Sequence, residues 1–119
     1  MKPTIYHNPR CSKSRETLAL LGEHGVEATV VQYLDTPPDA VTIERLLTML
    51  GFDDPRQLMR QKEDEYAALN LNNPKLSRAE LIAAMVAHPR LIERPIVVVG
   101  ERAAIGRPPE NVLAILPKT

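Results

Sequence analysis

The sequence predicts one α/β domain built on a four-stranded mixed sheet, in the order β-α-β, a helical insertion, then β-β-α. Three observations lead to this prediction. Short β-branched runs lie near both ends of the chain, the patterns between them are helical, and 119 residues suffice for one hydrophobic core but not two. We therefore expect a single domain over residues 1–119, with the helical insertion at about 39–88.

The first third of the chain has a β-α-β pattern. Residues 4–6 form a short β-type run that ends at the breaker Asn8-Pro9. A helix is predicted from Cys11 until Gly22 and Gly25 stop it. Residues 28–33 are short and rich in β-branched side chains, which predicts a second strand. This order implies a right-handed crossover that leaves the two strands parallel.

The middle of the chain carries helical signals. After Pro37-Pro38, an apolar stripe closed by Gly51 is typical of an amphipathic helix. Ser77 and Glu80 form a capping box that opens another helix, which His88-Pro89 ends. The stripe consists of Ile43, Leu46, Leu47 and Leu50.

The last third predicts two strands and a helix. Residues 96–99 form an apolar run too short for a helix, and Gly100-Glu101 can turn it back into an antiparallel strand around residues 103–105. Pro109 then opens a terminal helix through Val112, Leu113 and Leu116. Without its central insertion, this order of elements is a thioredoxin-type arrangement.

Composition excludes several classes of function. Fifteen basic residues balance fifteen acidic ones, which argues against a protein that binds nucleic acid by neutralising phosphates. A single Cys excludes an intramolecular disulfide framework and a Cys-rich metal site, so we expect no bound metal. No apolar run approaches the ~18 residues of a membrane span, and the first six residues lack the apolar stretch of a secretory signal. We therefore expect a cytoplasmic protein.

The single Cys11 stands where the first strand passes into the first helix. Free amides of the first helical turn would point at its sulfur, and the positive end of the helix favours a thiolate. Arg10, Lys13 and Arg15 act in the same direction. Cysteines in such settings have pKa values of roughly 3.5–7.5, against about 8.5 when free. The same donors can bind a tetrahedral oxyanion, so nucleophile and anion site coincide.

Two features limit this interpretation. Most lone cysteines are small buried apolar residues, although the cations around Cys11 are unusual for such a role. Ser14 stands where a CxxC enzyme has its second cysteine, so Cys11 cannot resolve its own adduct within this chain.

The segment His7-Asn8-Pro9-Arg10-Cys11-Ser12-Lys13-Ser14-Arg15 resembles the active-site loop of the glutaredoxin-linked arsenate reductase family, whose pattern is HNPxCxxSR. Further matches follow in order over nearly the whole chain: Leu58-Met59-Arg60, His88-Pro89, Ile92-Glu93-Arg94-Pro95-Ile96-Val97-Val98 and Ile105-Gly106-Arg107-Pro108. The resemblance implies a thioredoxin/glutaredoxin-like fold with a helical insertion. It also implies reduction of arsenate to arsenite with glutathione as co-substrate, glutaredoxin as protein partner and no bound cofactor.

The same resemblance assigns roles to individual residues. Cys11 matches the nucleophile that attacks arsenate. His7, Ser14 and Arg15 match loop positions that support the thiolate, although a histidine at a strand end is at least as often a structural hydrogen bonder. The oxyanion-binding positions are matched by Arg60, Arg94 and Arg107. Arg94 also precedes Pro95, where a thioredoxin-type fold holds a cis-proline against the reactive cysteine.

Two alternative functions stay open on the sequence. One is a glutathione-dependent thiol oxidoreductase with another substrate, in which the arginines bind the carboxylates of glutathione. The other is a redox-responsive regulatory protein resembling the Spx-type transcription regulators, which share this fold. Those regulators form a disulfide within a CxxC motif. Ser14 replaces the second cysteine here, which disfavours a regulatory role of this kind.

Overall fold

A computed structural model describes residues 2–116 of the chain. Its order of elements is β1 (Thr4–Tyr6), α1 (Ser12–Glu23), β2 (Thr29–Val31), α2 (Ala40–Leu50), a 3₁₀ helix (Pro55–Leu58), α3 (Asp64–Ala68), α4 (Arg78–Ala87), a 3₁₀ helix (Pro89–Leu91), β3 (Ile96–Val99), β4 (Arg102–Ile105) and a 3₁₀ helix (Pro109–Ile115). The chain divides into two compact units. One joins the residues up to Thr36 with those from Arg94 onward, and the other is Pro37–Glu93.

The first unit holds the predicted four-stranded mixed sheet, in the order β2-β1-β3-β4. β1 pairs parallel with β2 and antiparallel with β3, and β3 pairs antiparallel with β4. Gly100, with a φ of 63°, makes the turn between β3 and β4 at the position where a tight hairpin favours glycine. The α/β fold class and its parallel and antiparallel pairings are therefore confirmed.

The core of this unit lies where α1 and the last 3₁₀ helix pack with the sheet. The buried side chains at its centre come from four elements, and partly buried apolar residues surround them. The central residues are Ile5, Leu21, Val97, Val99, Val112 and Ile115. Because α1 is held by this core, its N-terminal end stands at a defined place beside the end of β1.

Two element predictions need correction. The second strand spans Thr29–Val31 rather than residues 28–33, since its partner β1 is only three residues long and a ladder extends no further than its partner. The terminal helix is a 3₁₀ helix over Pro109–Ile115 rather than an α-helix that includes Leu116. Its buried residues Pro109, Val112 and Ile115 recur every three positions, which is the 3₁₀ repeat.

The second unit contains α2, α3 and α4 with two 3₁₀ helices, and α2 packs against α4. Gly51 ends α2 in the left-handed conformation, with a φ of 73°. The predicted capping box opens α4: the Ser77 hydroxyl accepts from the Glu80 amide at 3.1 Å and the Glu80 carboxylate accepts from the Ser77 amide at 3.0 Å. Both helix boundaries follow the local signals in the sequence.

Candidate active site

The loop between β1 and α1 presents Cys11 as the N-cap residue of the helix, in an extended conformation. Backbone bonds close the loop on both sides of it. The Cys11 amide donates to the Asn8 carbonyl at 3.0 Å, and the Arg15 amide donates to the Cys11 carbonyl at 3.0 Å. The Cys11 side chain makes no capping hydrogen bond, and its half-buried sulfur lies at the helix end whose first-turn amides have no partner within the helix.

The surroundings lower the pKa of the Cys11 thiol. Burial by itself would raise the pKa, because it disfavours the charged thiolate. The backbone amides of Ser14 and Lys13 and the charges of Arg94 and Arg107 outweigh this cost. The helix-start environment predicted from the sequence therefore has the expected effect, and two arginines from distant positions add to it.

Arg107 approaches the sulfur directly. Its Nη2 atom lies 3.5 Å from Cys11 Sγ, and its Nε atom donates to the Arg94 carbonyl at 2.8 Å. The Arg94–Pro95 peptide bond is cis, which agrees with the cis-proline expected next to the reactive cysteine. The Arg107 guanidinium thus contacts the Cys11 sulfur, while its bond to the Arg94 carbonyl holds it in place.

His7 is buried behind the loop at the end of β1. Its Nδ1 atom lies 2.7 Å from the Ser14 hydroxyl, which also accepts from the Asn8 amide at 3.0 Å. Because the hydroxyl already accepts from that amide, its own proton is available to His7 when the imidazole is neutral. Burial lowers the pKa of His7, and the charge of Arg15 lowers it further. His7 and Ser14 therefore form a neutral hydrogen-bonded pair that braces the loop.

The remaining predicted residues have different positions. Arg15 is exposed, and its Nη1 atom donates to the Pro9 carbonyl at 2.9 Å, which ties α1 back to the loop. Arg60 belongs to the Pro37–Glu93 unit, where its Nη1 atom lies 2.6 Å from Oε1 of Glu63. The structure brings Cys11, Arg94 and Arg107 together in the first unit. Arg60 lies in the second unit.

Sequence reasoning missed two residues beneath the site. Thr17 is fully buried in α1, and its hydroxyl donates to the Lys13 carbonyl at 2.8 Å. Gly106 packs against it so closely that an added Cβ would lie 3.1 Å from Thr17 Cγ2, 2.8 Å from Pro95 Cγ and closer still to Thr17 Oγ1. The available signal was a glycine immediately before a candidate anion-binding arginine. Its absent side chain allows the Arg107 segment to pack against α1.

Among residues 2–116, no group of three or more His, Cys, Asp or Glu side chains is arranged to hold a metal ion. No helix within that described range is long and apolar enough to cross a membrane.

The chain is similar to known proteins over nearly its whole length. A sequence model described as the ArsC family matches residues 6–115. A protein of Escherichia coli K12 named "Uncharacterized protein YfgD" is 62% identical over 112 residues, which cover 94% of both chains. A protein of Haemophilus influenzae named "Arsenate reductase" is 52% identical over 116 residues, covering 98% of this chain and all of the relative. The solved structure of an arsenate reductase from Vibrio cholerae matches with a TM-score of 0.96 and 53% identity, over 98% of each chain.

Proposed function

Because the chain belongs to the ArsC family, we propose that it is an arsenate reductase that uses glutathione and glutaredoxin as its source of electrons. The observation that supports this most is the thiol at the start of α1 with an arginine 3.5 Å from its sulfur. A nucleophile and a bidentate cation side by side are what attack on a tetrahedral oxyanion requires.

In the first step the Cys11 thiolate attacks the arsenic atom of arsenate. An S–As bond forms, and one arsenate oxygen leaves as hydroxide or water. The lowered pKa of Cys11 increases the fraction of the attacking thiolate, which favours this step. His7 and Ser14 keep the loop in the conformation that directs the amides at the sulfur.

Arginines bind the oxyanion and balance the charge that develops as it is attacked. Arg94 and Arg107 already act on the sulfur of Cys11 through their charges. The resemblance to the family adds Arg60 as a third binding residue. A guanidinium suits this task because its planar fork offers paired donors that stay charged at any working pH.

Glutathione completes the reduction. Its thiolate attacks the Cys11 sulfur, an S–S bond forms, and the electron pair of the S–As bond remains on arsenic, which leaves as arsenite. Glutaredoxin then attacks the glutathione sulfur of the mixed disulfide and frees Cys11. An external resolving thiol is needed because this chain contains one cysteine. Such a cycle belongs in the cytoplasm, where thiols are kept reduced.

The test is steady-state arsenite production with glutathione and glutaredoxin, run beside the same assay on Cys11→Ser. We expect turnover with the native chain and none with the variant, because a serine hydroxyl without a base is too weak a nucleophile. If the native chain made no arsenite, yet cycled glutathione on and off Cys11, the thiol oxidoreductase would replace this proposal.

A further inference from the structure

The backbone around Arg60 is fixed by pairing inside the second unit. The Arg60 amide donates to the Leu91 carbonyl at 2.7 Å, and the Glu93 amide donates to the Leu58 carbonyl at 2.7 Å. Between these two bonds, Met59 forms a β-bridge with Ile92. Because the main chain cannot shift without breaking this short ladder, the position of the guanidinium depends on what its side chain binds.

Glu63 binds that guanidinium. Its Oε1 atom lies 2.6 Å from Arg60 Nη1, and its Oε2 atom lies 3.5 Å from Nη2 of Arg90. The Glu63 side chain is only 14% exposed and that of Arg60 25%, whereas that of Arg90 is 65% exposed. The largely buried Glu63 carboxylate is thus shared between Arg60 and the more exposed Arg90, and it lies closer to Arg60.

We propose that Glu63 is a positioning residue that holds Arg60 and reduces the positive charge Arg60 can offer to an oxyanion. This inference rests on the proposed function, in which Arg60 binds arsenate. The carboxylate keeps the guanidinium in one place through Nη1, which leaves the other N–H groups of the fork for a ligand. The Glu63 carboxylate also places a negative charge next to the position where an oxyanion would bind Arg60.

The sign of the effect follows from Coulomb's law. A bound oxyanion on the far edge of the guanidinium and the Glu63 carboxylate repel each other, so Glu63 weakens oxyanion binding while it orders the side chain. For a separation of ~6.5 Å in a water-like dielectric, removing the repulsion strengthens binding by about threefold for a monoanion and about tenfold for a dianion. Glu63 therefore discriminates against dianions relative to monoanions.

The experiment measures the anion concentration that halves the rate of Cys11 alkylation by iodoacetamide. Arsenate, sulfate and nitrate are the probes, since nitrate is a monoanion and sulfate a dianion. Glu63→Gln removes the charge and keeps an acceptor oxygen for Arg60. Glu65→Gln is the matched control. It changes the net charge of the chain by the same amount, at a carboxylate two residues away that lies 3.8 Å from Arg90 Nε.

We expect the half-protection concentration of sulfate to fall about tenfold in Glu63→Gln, that of nitrate about threefold, and both to stay unchanged in Glu65→Gln. A purely structural role for Glu63 would not distinguish the two anions. In an Arg60→Ala background the Glu63→Gln effect should vanish, since Glu63 acts through Arg60. Glu63→Met, also uncharged and of similar length, provides the same test if the Gln variant does not fold.

Three results would overturn the proposal. In the first, anions protect Cys11 of Glu63→Gln no better than Cys11 of the native chain. In the second, Glu63→Gln strengthens anion binding by the same factor in the Arg60→Ala background. In the third, anions protect Arg60→Ala and the native chain equally well. In each case Arg94 and Arg107 could still bind the anion, so the proposed reduction of arsenate would stand. The third result would remove only Arg60 from its anion-binding residues. If the native chain were not protected by arsenate at all, the proposed function itself would fall, and this inference with it.

Discussion

Arg107 and Cys11 are 96 positions apart in the sequence, yet Nη2 of the arginine lies 3.5 Å from the sulfur of the cysteine. The contact is directional, because Nε of the same guanidinium donates to the Arg94 carbonyl at 2.8 Å. A cation fixed at this distance stabilises a thiolate and is also positioned to hold an oxyanion that approaches it. Each of these two consequences can be measured separately.

The first prediction concerns the ionisation of Cys11. Its pKa should lie below the ~8.5 of a free thiol, so the iodoacetamide alkylation rate should reach its plateau at a lower pH than that of a free thiol. Arg107→Ala should raise the pKa, because it removes a charge that favours the thiolate. Arg102→Ala, which removes an exposed arginine of β4, is the control and should leave the pH profile unchanged. A native midpoint near 8.5 would contradict the prediction.

The second prediction is that arsenate or sulfate protects Cys11 from alkylation. The amides at the start of α1 and the Arg107 guanidinium would bind the anion in front of the sulfur and exclude the reagent. Protection should weaken in Arg107→Ala and persist in Arg102→Ala. Equal alkylation rates with and without either anion would show that the helix start is not an oxyanion site.

The third prediction separates arsenate chemistry from general thiol exchange. Arg94→Ala and Arg107→Ala should each remove charge-assisted bonds worth ~1.5–3 kcal/mol, which lowers kcat/KM for arsenate by roughly ten- to a hundredfold. Reaction of Cys11 with a neutral disulfide should fall much less, since that substrate brings no negative charge to the arginines. A parallel loss of both activities, or arsenate turnover that survives either substitution, would mean that these arginines do not serve the oxyanion.

The fourth prediction concerns the glycine beneath the site. Gly106→Ala should cost about 1–3 kcal/mol of unfolding free energy, because its new Cβ would overlap Thr17 and Pro95. It should also raise the pKa of Cys11 by displacing Arg107. Urea unfolding and the alkylation profile measure the two effects.

Gly22→Ala is the matched control for that substitution. Gly22 also lies in the first unit, within α1, but an added Cβ there meets nothing within 4 Å. Alanine in a helix is favoured over glycine by about 0.5–1 kcal/mol, so this variant should gain stability. Combining Gly106→Ala with Thr17→Ala should cost less than the sum of the single substitutions, because the smaller side chain relieves part of the overlap. Strict additivity would mean that Thr17 is not what restricts position 106.

Several structural features could be predicted from local sequence signals alone. The capping box at Ser77 and the left-handed Gly51 set helix boundaries through bonds within a few residues. The same holds for Cys11, whose position after the Asn8-Pro9 breaker predicted a helix start and therefore a lowered pKa. Such features depend on backbone hydrogen bonds between near neighbours, which the order of residues determines directly.

Other features could not be read from neighbouring residues. The length of β2 depends on its partner β1, and the 3₁₀ form of the last helix follows from which of its side chains are buried. The need for glycine at position 106 depends on Thr17, which precedes it by 89 positions. The resemblance to the arsenate reductases singled out Arg60 for anion binding, yet its pairing with Glu63 appeared only in the structure.

The sequence by itself determined that Cys11 stands at a helix start, where amides within three residues lower the pKa of its thiol. Only the tertiary structure decided which cations reach that sulfur. Arg94 and Arg107 act on Cys11 because the pairing of β3 with β1 and β4 and the close packing at Gly106 bring their segments to the start of α1. Electrostatic effects depend on distance in space, and the fold determines distances between residues that are remote in sequence.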